Sequence, residues 1–472
     1  MRGFVPTPRE TVDRMVGLLF RRGVQRDARV LDAGCGDGAF IDGILRWCAT
    51  HSVCPPQIVG IELDLALAQS ARSRFCGFPN VQILEGDFLA KDPGVFDFVV
   101  GNPPYVPITS LSPSERSIYR HSFETARGRF DLFLLFFEQA LRSLEHNGRL
   151  VFITPEKFLY TATAAPLRRI LSRRHIEEIR LVDEATFEGF VTYPTITTVI
   201  QTSRCAPTEL IDRMSRSRKT MLPADGRSWQ PLFHDEKRWG SNAKLEDVAD
   251  RISCGVATGA DAVFVLRTEQ VDESLKRFAH PTLAGRELDP GGMNYELTHS
   301  MLVPYAMDGG LLPETMLGGL GAYLRDPVRR AQLLKRTCVE RKPWYAFHDN
   351  APLAEILRPK ILCKDIAARP YFWLDFAGEV LPRHSVYYIV PKRLADAEAL
   401  RDFLNSRQSC DWLAAHCQRA ANGFLRLQSH VLKQLPVPRK FARGLTRNGR
   451  SRRGVPSAQL AFPVGTPNVH AV

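Results

Sequence analysis

Short apolar runs alternate with amphipathic stretches through the first part of the chain. Five runs rich in Val, Ile, Leu and Phe predict β-strands: RVLDAG (29–34), QIVGIE (57–62), VQIL (81–84), FDFVVG (96–101) and RLVFITP (149–155). Apolar residues at helical spacing predict helices between them, around 40–49, 65–75 and 131–144. Strands that alternate with helices are typical of βαβ units, so the pattern predicts a mainly parallel sheet that is buried on both faces.

Two further strand-like runs, 176–182 and 195–201, follow without a clear helix between them. Because no crossover helix separates them, we expect an antiparallel pair that closes the sheet. The next stretch, 203–229, is polar, basic and rich in turn-forming residues, which is typical of a linker between domains.

The pattern becomes shorter and more irregular from about residue 241, with many Gly and Pro breaks. Apolar runs predict strands at 252–266, 358–366 and 384–391, and helical spacing predicts a helix at 396–404. We therefore expect four parts: an α/β domain at 1–205, a linker at 206–240, an α+β domain at 241–438 and a basic, disordered tail at 439–472.

The composition is that of an ordinary globular protein with a basic excess. The 472 residues are 44% hydrophobic and 24% charged, and the formal net charge is +12. Such a charge fits a polyanionic partner, because clustered Lys and Arg displace counterions from phosphates. A generally Arg-rich composition would give the same sum, so charge alone favours nucleic acid only modestly.

Cysteine usage and the absence of long apolar runs favour a protein of the reducing cytoplasm. The ten cysteines include no CxxC pair. Cys48, His51 and Cys54 lie close together, but no second pair of ligands follows at metal-site spacing, so we expect no metal site. The N-terminus lacks the apolar region of a signal peptide, and no run approaches the roughly 20 residues that span a bilayer, so no membrane partner is expected.

The segment LDAGCGDGAF (31–40) combines a strand end, a glycine-rich turn and a helix start. Gly34, Gly36 and Gly38 let the backbone approach a ligand closely, and the helix start offers free N–H groups. Many α/β proteins use such a loop structurally. The spacing GxGxG after Asp32 favours S-adenosylmethionine over a dinucleotide.

Acidic residues end the next two predicted strands. Glu62 ends the second strand, where a carboxylate can accept both ribose hydroxyls of a nucleoside cofactor. The alternative is a surface charge or a helix cap, and Asp64 is the better candidate for the cap. Asp87 and Phe88 end the third strand, where they can contact the amino group and the ring of an adenine; for Phe88, plain core packing is the alternative.

The tetrapeptide NPPY follows the fourth predicted strand, at the edge where open α/β sheets bind ligands. A planar amine is a poor nucleophile, because its lone pair is delocalised. The side-chain oxygen of Asn102 and the carbonyl of Pro103 can accept both amine hydrogens and direct that lone pair at a sulfonium methyl. Pro103 and Pro104 stiffen the loop, and Tyr105 offers a face on which a flipped base can stack.

In this order, the motifs resemble the gamma-class (TaqI-like) DNA adenine-N6 methyltransferases of restriction–modification systems, over about residues 3–201. The resemblance implies a class I S-adenosylmethionine-dependent methyltransferase domain of Rossmann-like fold, followed by an α+β target-recognition domain. It assigns the residues of NPPY to catalysis and a larger set to the cofactor: Thr7, Pro8, Asp32, Gly34, Gly36, Gly38, Glu62, Asp87 and Phe88. In that family a second aromatic packs against the flipped adenine; Phe187 fits the spacing best, with Phe190 and Tyr193 as alternatives.

The implied activity is site-specific methylation of the adenine N6 amine in double-stranded DNA, and a separately encoded restriction endonuclease is a candidate partner. Trp344, Tyr345, Arg358 and Lys360 are candidates for facing DNA, although each is individually more typical of a structural residue. Several alternatives use the same pocket chemistry. They are N4 methylation of cytosine, methylation of an RNA base, methylation of a protein glutamine amide, and an inactive DNA-specificity protein.

Overall fold

The computed structural model describes residues 5–90, 92–183, 186–187, 193–203, 206–233, 243–289, 295–420 and 423–443. The described residues form two layered modules. The first contains one large sheet with helices on both faces, and the second contains three smaller sheets. None of the described helices combines the length and apolar composition that crossing a lipid bilayer requires.

The sheet of the first module has nine strands among the described residues, in the order β3-β2-β1-β4-β5-β7-β6-β8-β9. These strands are β1 (Arg29–Ala33), β2 (Gln57–Glu62), β3 (Val81–Glu85), β4 (Phe96–Gly101), β5 (Leu144–Pro155), β6 (His175–Leu181), β7 (Pro194–Ile200), β8 (Thr208–Ile211) and β9 (Ser217–Thr220). Neighbours from β3 to β5 pair in parallel, which confirms the parallel sheet predicted from the apolar runs.

Strand β7 runs antiparallel to both of its neighbours, β5 and β6. This confirms the predicted antiparallel pair, but the pair does not close the sheet. Strand β8 pairs in parallel with β6, and β9 then adds an antiparallel edge. Strands β8 and β9 both lie within 206–240, so part of the segment predicted as a linker belongs to the sheet.

Six helices accompany this sheet in the described residues: α1 (Arg9–Leu19), α2 (Ala39–Thr50), α3 (Leu65–Phe75), α4 (Pro113–Ser122), α5 (Leu132–Arg142) and α6 (Ala165–Leu171). Successive residues of β1 point to opposite faces. Val30 therefore joins the core formed with α1, α2 and α3, whereas Leu31 joins the core formed with α5 and α6. The apolar run at 130–141 is a buried helix, as its length predicts.

The second module contains three sheets in the described residues, ordered β10-β18-β14-β16, β11-β13-β12-β17 and β15-β20-β19. Its strands are β10 (Ala249–Cys254), β11 (Val265–Arg267), β12 (Ala279–Leu283), β13 (His299–Leu302), β14 (Lys360–Lys364), β15 (Ile366–Ala367), β16 (Phe372–Asp375), β17 (Leu381–Pro382), β18 (Val386–Pro391), β19 (Gln418–Arg419) and β20 (Leu425–Arg426). Its helices are α7 (Leu245–Val248), α8 (Asp261–Phe264), α9 (Gly318–Leu324), α10 (Pro327–Leu334), α11 (Leu353–Ile356), α12 (Ala397–Leu404), α13 (Arg407–His416), α14 (Ser429–Gln434) and α15 (Arg439–Ala442).

The run at 252–266, predicted as one strand, is divided. Strand β10 ends at Cys254, and the chain turns through Gly255 and Gly259 into α8 before β11 begins. An added side chain at Gly255 would lie 2.4 Å from the carbonyl oxygen of Arg383, so the backbone packs too closely there for a larger residue. The start of the predicted tail, 439–442, is helix α15, and residues 444–472 lie outside the described residues.

Candidate active site

Four turns of the first module meet at one edge of the sheet. Strands β1, β2, β3 and β4 run in parallel, so their carboxyl ends lie side by side in the order β3-β2-β1-β4. The glycine loop follows β1, Glu62 ends β2, Asp87 follows β3, and Asn102 follows β4. The motifs that are far apart in sequence are therefore neighbours at the edge where open α/β sheets bind ligands.

The glycine loop takes backbone conformations that favour glycine. Gly34, Gly36 and Gly38 have φ values of 76°, 55° and 88°. The N–H groups of Gly34 and Cys35 both donate to the carbonyl of Ile61, at 2.9 and 3.0 Å, which ties the loop to the end of β2. Gly38 is also the N-terminal cap of α2.

Glu62 holds the glycine loop and the following turn together. Its Oε2 accepts from the N–H of Gly36 and its Oε1 from the N–H of Asp64, each at 2.8 Å. Each carboxylate oxygen has a second lone pair, so further donors can still bind. Asp64 caps α3 by accepting from the N–H groups of Ala66 and Leu67, which confirms the cap predicted from sequence.

Asp32 lies under the loop with no exposed surface. Neither of its carboxylate oxygens has a hydrogen-bond partner among the described residues. Burial, followed by the negative charges of Glu62 and Asp37, raises the pKa of Asp32 well above its ordinary value. The raised pKa favours the protonated form of Asp32, and a cationic group bound nearby would favour the carboxylate.

A tyrosine on α4 contacts the acidic residue that follows β3. Asp87 Oδ1 accepts from the N–H of Leu89 at 2.9 Å, and Oδ2 accepts from the hydroxyl of Tyr119 at 3.3 Å. Phe88 is buried and packs against Phe136 of α5, with ring centroids 5.2 Å apart. Asp87 is thus oriented from both sides, and Phe88 belongs to the core as well as to the site.

The amide of Asn102 is oriented by the N-terminal segment. Its Nδ2 donates to the carbonyl of Val5 at 3.0 Å and to the Thr7 hydroxyl at 3.1 Å. A carbonyl can only accept, so the amino end of the amide faces Val5 and the oxygen faces away. That buried oxygen, Oδ1, has no partner among the described residues. The side chain therefore presents an unused acceptor.

The loop after NPPY is fixed at its far end. The N–H of Ile108 donates to Phe130, and the N–H of Leu132 donates to Val106, at 3.0 and 2.9 Å. Pro103 is buried and Pro104 half-buried within this loop. The Tyr105 hydroxyl is buried with no partner among the described residues, and burial raises its pKa. Backbone pairing and two prolines together hold the acceptor groups in place.

These turns enclose a cavity of about 320 Å³. Seven of the residues predicted from sequence line it: Thr7, Gly34, Glu62, Asp87, Phe88, Asn102 and Pro104. The other predicted residues that the structure describes do not line it: Pro8, Asp32, Gly36, Gly38, Pro103, Tyr105 and Phe187. Pro8 is the cap of α1, which follows the segment that contacts Asn102.

Sequence reasoning missed the side of the cavity formed around α4. Leu111, Glu115 and Tyr119 line it there. The helix begins with a capping box between Ser112 and Glu115, a signal that the sequence SPSE carries. The capping box predicts where the helix starts, but the contact between Tyr119 and Asp87 depends on tertiary packing.

Three residues are candidates for the second aromatic of the site. Phe187 is 2% exposed and packs in the core with Val182 and Ile196. Phe190 lies outside the described residues. The Tyr193 hydroxyl donates to the carbonyl of Ala420 and accepts from the N–H of Gly423 at 2.9 Å. The assignment of Phe187 as a stacking residue stays a prediction.

Lys360, a candidate for facing DNA, is a structural residue. Its side chain is 0% exposed, and its Nζ donates to Asp375 at 2.5 Å. The prediction is wrong for Lys360, because a buried ammonium paired with a carboxylate cannot reach a partner. Tyr345 is also buried, and its hydroxyl donates to the carbonyl of Leu312 at 2.9 Å.

The strand order and the ligand edge define the class of fold. The first module has the fold of a class I S-adenosylmethionine-dependent methyltransferase, with β7 inserted antiparallel beside β5. The two-module arrangement is similar to that of MmeI, a type IIL restriction–modification enzyme solved in complex with DNA. The TM-score is 0.60 at 14% identity, and the match covers 90% of this chain and 64% of that structure.

Sequence comparison places restriction–modification methyltransferases among the relatives of this chain. The family described as Eco57I restriction–modification methylase matches residues 62–187. The type II methyltransferase M.PaeR7I of Pseudomonas aeruginosa is 29% identical over 75% of this chain and 67% of its own length. The type II methyltransferase M.XhoI of Xanthomonas vasicola is 27% identical, over 77% and 72% respectively. The similarity to such enzymes therefore extends from the first module into the second.

Proposed function

We propose that this protein transfers a methyl group from S-adenosylmethionine to the N6 amine of an adenine flipped out of double-stranded DNA. The observation that carries the proposal is Asn102, which lines the cavity and whose side-chain oxygen is buried and has no partner among the described residues. An acceptor fixed in this way can bind an amine hydrogen without reorganising during the reaction. The proposed acceptors for the two amine hydrogens are Asn102 Oδ1 and the Pro103 carbonyl.

The residues around the cavity fit S-adenosylmethionine. Asp37, Glu62 and Asp87 line the cavity with carboxyl groups, which suit a ligand that carries an ammonium and a sulfonium group. Glu62 retains lone pairs for the ribose hydroxyls, and Asp87 for the adenine amino group. Thr7 lines the same cavity, in the segment assigned to the methionine end.

The cofactor, when bound, supplies an electrophilic methyl group on a good leaving group. The protein has to orient the amine and exclude water. Asn102 directs the lone pair of the amine, while the pinned loop from Val106 to Ile108 keeps NPPY in place. We assign Tyr105 to stacking against the flipped base. Direct displacement needs no strong general base, because the amine proton leaves after methyl transfer.

DNA is the proposed polymer, and the second module is proposed to read its sequence. The net charge of +12 favours a polyanion. The relatives M.PaeR7I and M.XhoI are named type II methyltransferases, and their similarity continues into the second module. A flipped base would leave the duplex at the edge of the sheet that carries Asn102.

Transfer of radiolabelled methyl groups tests the proposal. In three separate reactions, purified protein is incubated with labelled S-adenosylmethionine and one polymer. The three polymers are duplex DNA, folded RNA and a peptide that contains glutamine. We expect label in DNA only, and the variant Asn102→Ala should label the DNA about 10²- to 10³-fold more slowly. Label in RNA or in the peptide with none in DNA would contradict the proposed substrate. No transfer to any polymer, despite cofactor binding, would favour a DNA-specificity protein without activity.

A further inference from the structure

A second cavity opens at the same edge of the first module. It has a volume of about 140 Å³, less than half that of the 320 Å³ cavity beside Asn102. Its walls come from the carboxyl ends of β5, β6 and β8, and from β19 of the second module. The cofactor cavity lies towards β1 to β3, so the two cavities lie on opposite sides of β4. A cavity of this size accommodates one small group rather than a whole cofactor.

The charges around the second cavity leave one cation in excess. Arg213 pairs with Glu156, and Arg216 pairs with Asp212 at 2.7 Å. Arg419, the third arginine of the lining, has no carboxylate partner within the described part of the chain. The positive and negative charges cancel within each of these two ion pairs. The lining therefore favours an anionic group beside Arg419.

Two polar side chains of the lining are prepared for hydrogen bonds. Gln230 is 9% exposed; its Nε2 donates to the carbonyl of Cys417 at 2.9 Å, and its Oε1 has no partner among the described residues. An unpaired buried acceptor is costly, so it points to a donor supplied by a ligand. Burial raises the pKa of Tyr160, which keeps its hydroxyl protonated and able to donate.

The cavity also lies where the two modules meet. The loop between β19 and β20 contacts the first module through Tyr193, whose hydroxyl bonds to Ala420 and Gly423. The ring of Tyr193 in turn lies 5.5 Å from the guanidinium of Arg213, in the cavity wall. A ligand here would contact the catalytic sheet and the second module at once.

We propose that this second cavity contacts one nucleotide of the DNA strand beside the methylated base: its phosphate enters the cavity at Arg419, and an N–H donor of its base reaches Gln230. The inference rests on the proposed function and adds to it a fixed contact between the modules. Four steps between neighbouring strands, at about 4.8 Å each, place the end of β8 roughly 19 Å from the end of β4. At about 3.4 Å per base pair, this corresponds to a position within about six base pairs of the target.

Binding of duplex DNA as a function of salt tests the anionic contact. Arg419→Gln removes the unpaired charge, and Arg227→Gln removes an equal charge from an exposed arginine outside the cavity. We expect Arg419→Gln to weaken DNA binding several-fold and to reduce the slope of log K against log salt by about 0.9, as for one lost phosphate contact. Arg227→Gln should leave the slope near that of the wild type.

A scan of neutral phosphates locates the contact. Duplexes that contain the methylated sequence carry one methylphosphonate each, at the six positions on either side of the target adenine. At one position, the methylphosphonate should weaken DNA binding by the wild type. The same methylphosphonate should not weaken DNA binding by Arg419→Gln any further. Loss of affinity at that position in both proteins alike would overturn the inference, as would an unchanged salt slope in Arg419→Gln or an equal change in Arg227→Gln.

The polar contact has its own variant. Gln230→Leu keeps a side chain of similar size but removes both the Oε1 acceptor and the Nε2 donor to Cys417, so DNA affinity should fall while the salt slope is retained. Unchanged affinity would overturn the role of Gln230. Methylation of the same duplex by the wild type separates the two proposals. If the wild type methylates DNA and Arg419→Gln binds it normally, the inference fails and the proposed function stands; if the wild type neither binds nor methylates DNA, both fail.

Discussion

At Asn102 a single side-chain amide joins the N-terminal segment to the turn after β4. The amino end is used in two hydrogen bonds, to Val5 and Thr7, and these fix where the oxygen lies. A sequence can show the tetrapeptide, but it cannot show which end of the amide is engaged. The partners lie more than ninety positions earlier in the chain, and only the fold brings them together.

Asn102→Ala should reduce turnover by about 10²- to 10³-fold, the usual loss when one preorganised hydrogen-bonding group is removed. The loss should appear in single-turnover methyl transfer at saturating cofactor. Asn80→Ala is the matched control, because the Asn80 amide also donates to a backbone carbonyl, that of Pro56, at 2.8 Å. A rate for Asn102→Ala within a few-fold of that for Asn80→Ala would contradict the assigned role.

Tyr119→Phe should weaken cofactor binding about 5-fold, as expected for the loss of about 1 kcal/mol of hydrogen bonding to a carboxylate. The Tyr119 hydroxyl donates to Asp87 and helps to orient it. Titration calorimetry with S-adenosylhomocysteine measures the change. Tyr345→Phe removes a hydroxyl that bonds to Leu312 in the second module and should bind the ligand normally. Equal affinities for the two variants would show that Tyr119 does not act through Asp87.

The sequence predicts those helices and strands whose buried residues form a regular apolar pattern along the chain. Strands β1, β2 and β4 are buried on both faces, so their apolar runs are nearly continuous and easily recognised. Strand β9 has the sequence SRKT and is largely exposed, so no apolar pattern marks it. Pairing with β8 defines β9, and this long-range information is absent from local sequence.

The divided run at 252–266 shows a different limit. Short apolar segments suit a buried strand and a buried helical turn equally well. Val263 and Phe264 are fully buried in α8, a role that the same residues would fill in a strand. The close approach of Gly255 to Arg383 decides the turn, and that contact spans more than a hundred residues.

Gly38→Ala should destabilise the first module more than Gly23→Ala does. Both glycines have positive φ, 88° and 84°. Backbone strain in either alanine variant is therefore expected to lower the free energy of unfolding by about 1–2 kcal/mol. Only at Gly38 does an added Cβ lie 2.3 Å from the Phe75 ring, whereas at Gly23 nothing lies within 4 Å. Overpacking should add about 1–3 kcal/mol at Gly38. Midpoints of urea denaturation measure the difference, and equal midpoints would contradict the role of close packing.

For the whole molecule, the contact between the modules at Tyr193 is the feature with the widest consequence. One hydroxyl bonds to both ends of the loop between β19 and β20. The sequence predicted two domains and a linker, but strands β8 and β9 fill part of that linker and continue the sheet. The modules are therefore joined by side-chain contacts as well as by the chain, and such contacts cannot be read from composition.

Tyr193→Phe should loosen this contact without unfolding either module. The N–H of Gly423 donates to the Tyr193 hydroxyl at 2.9 Å, so its hydrogen exchange should accelerate in the variant. The N–H of Leu427, which donates to Asp365 at 2.7 Å, should exchange as in the wild type and serves as the internal control. An unchanged rate of hydrogen exchange at the N–H of Gly423 would contradict the contact between the modules at Tyr193.

The proposed activity is methylation of the N6 amine of adenine in DNA, at the cavity beside Asn102. Mass spectrometry of nucleosides, from unmethylated DNA treated with the wild type and S-adenosylmethionine, tests it most directly. We expect N6-methyladenine with the wild type and about 10²- to 10³-fold less in the same reaction time with Asn102→Ala. N4-methylcytosine in place of N6-methyladenine, or DNA without any methylated nucleoside, would contradict the proposed activity.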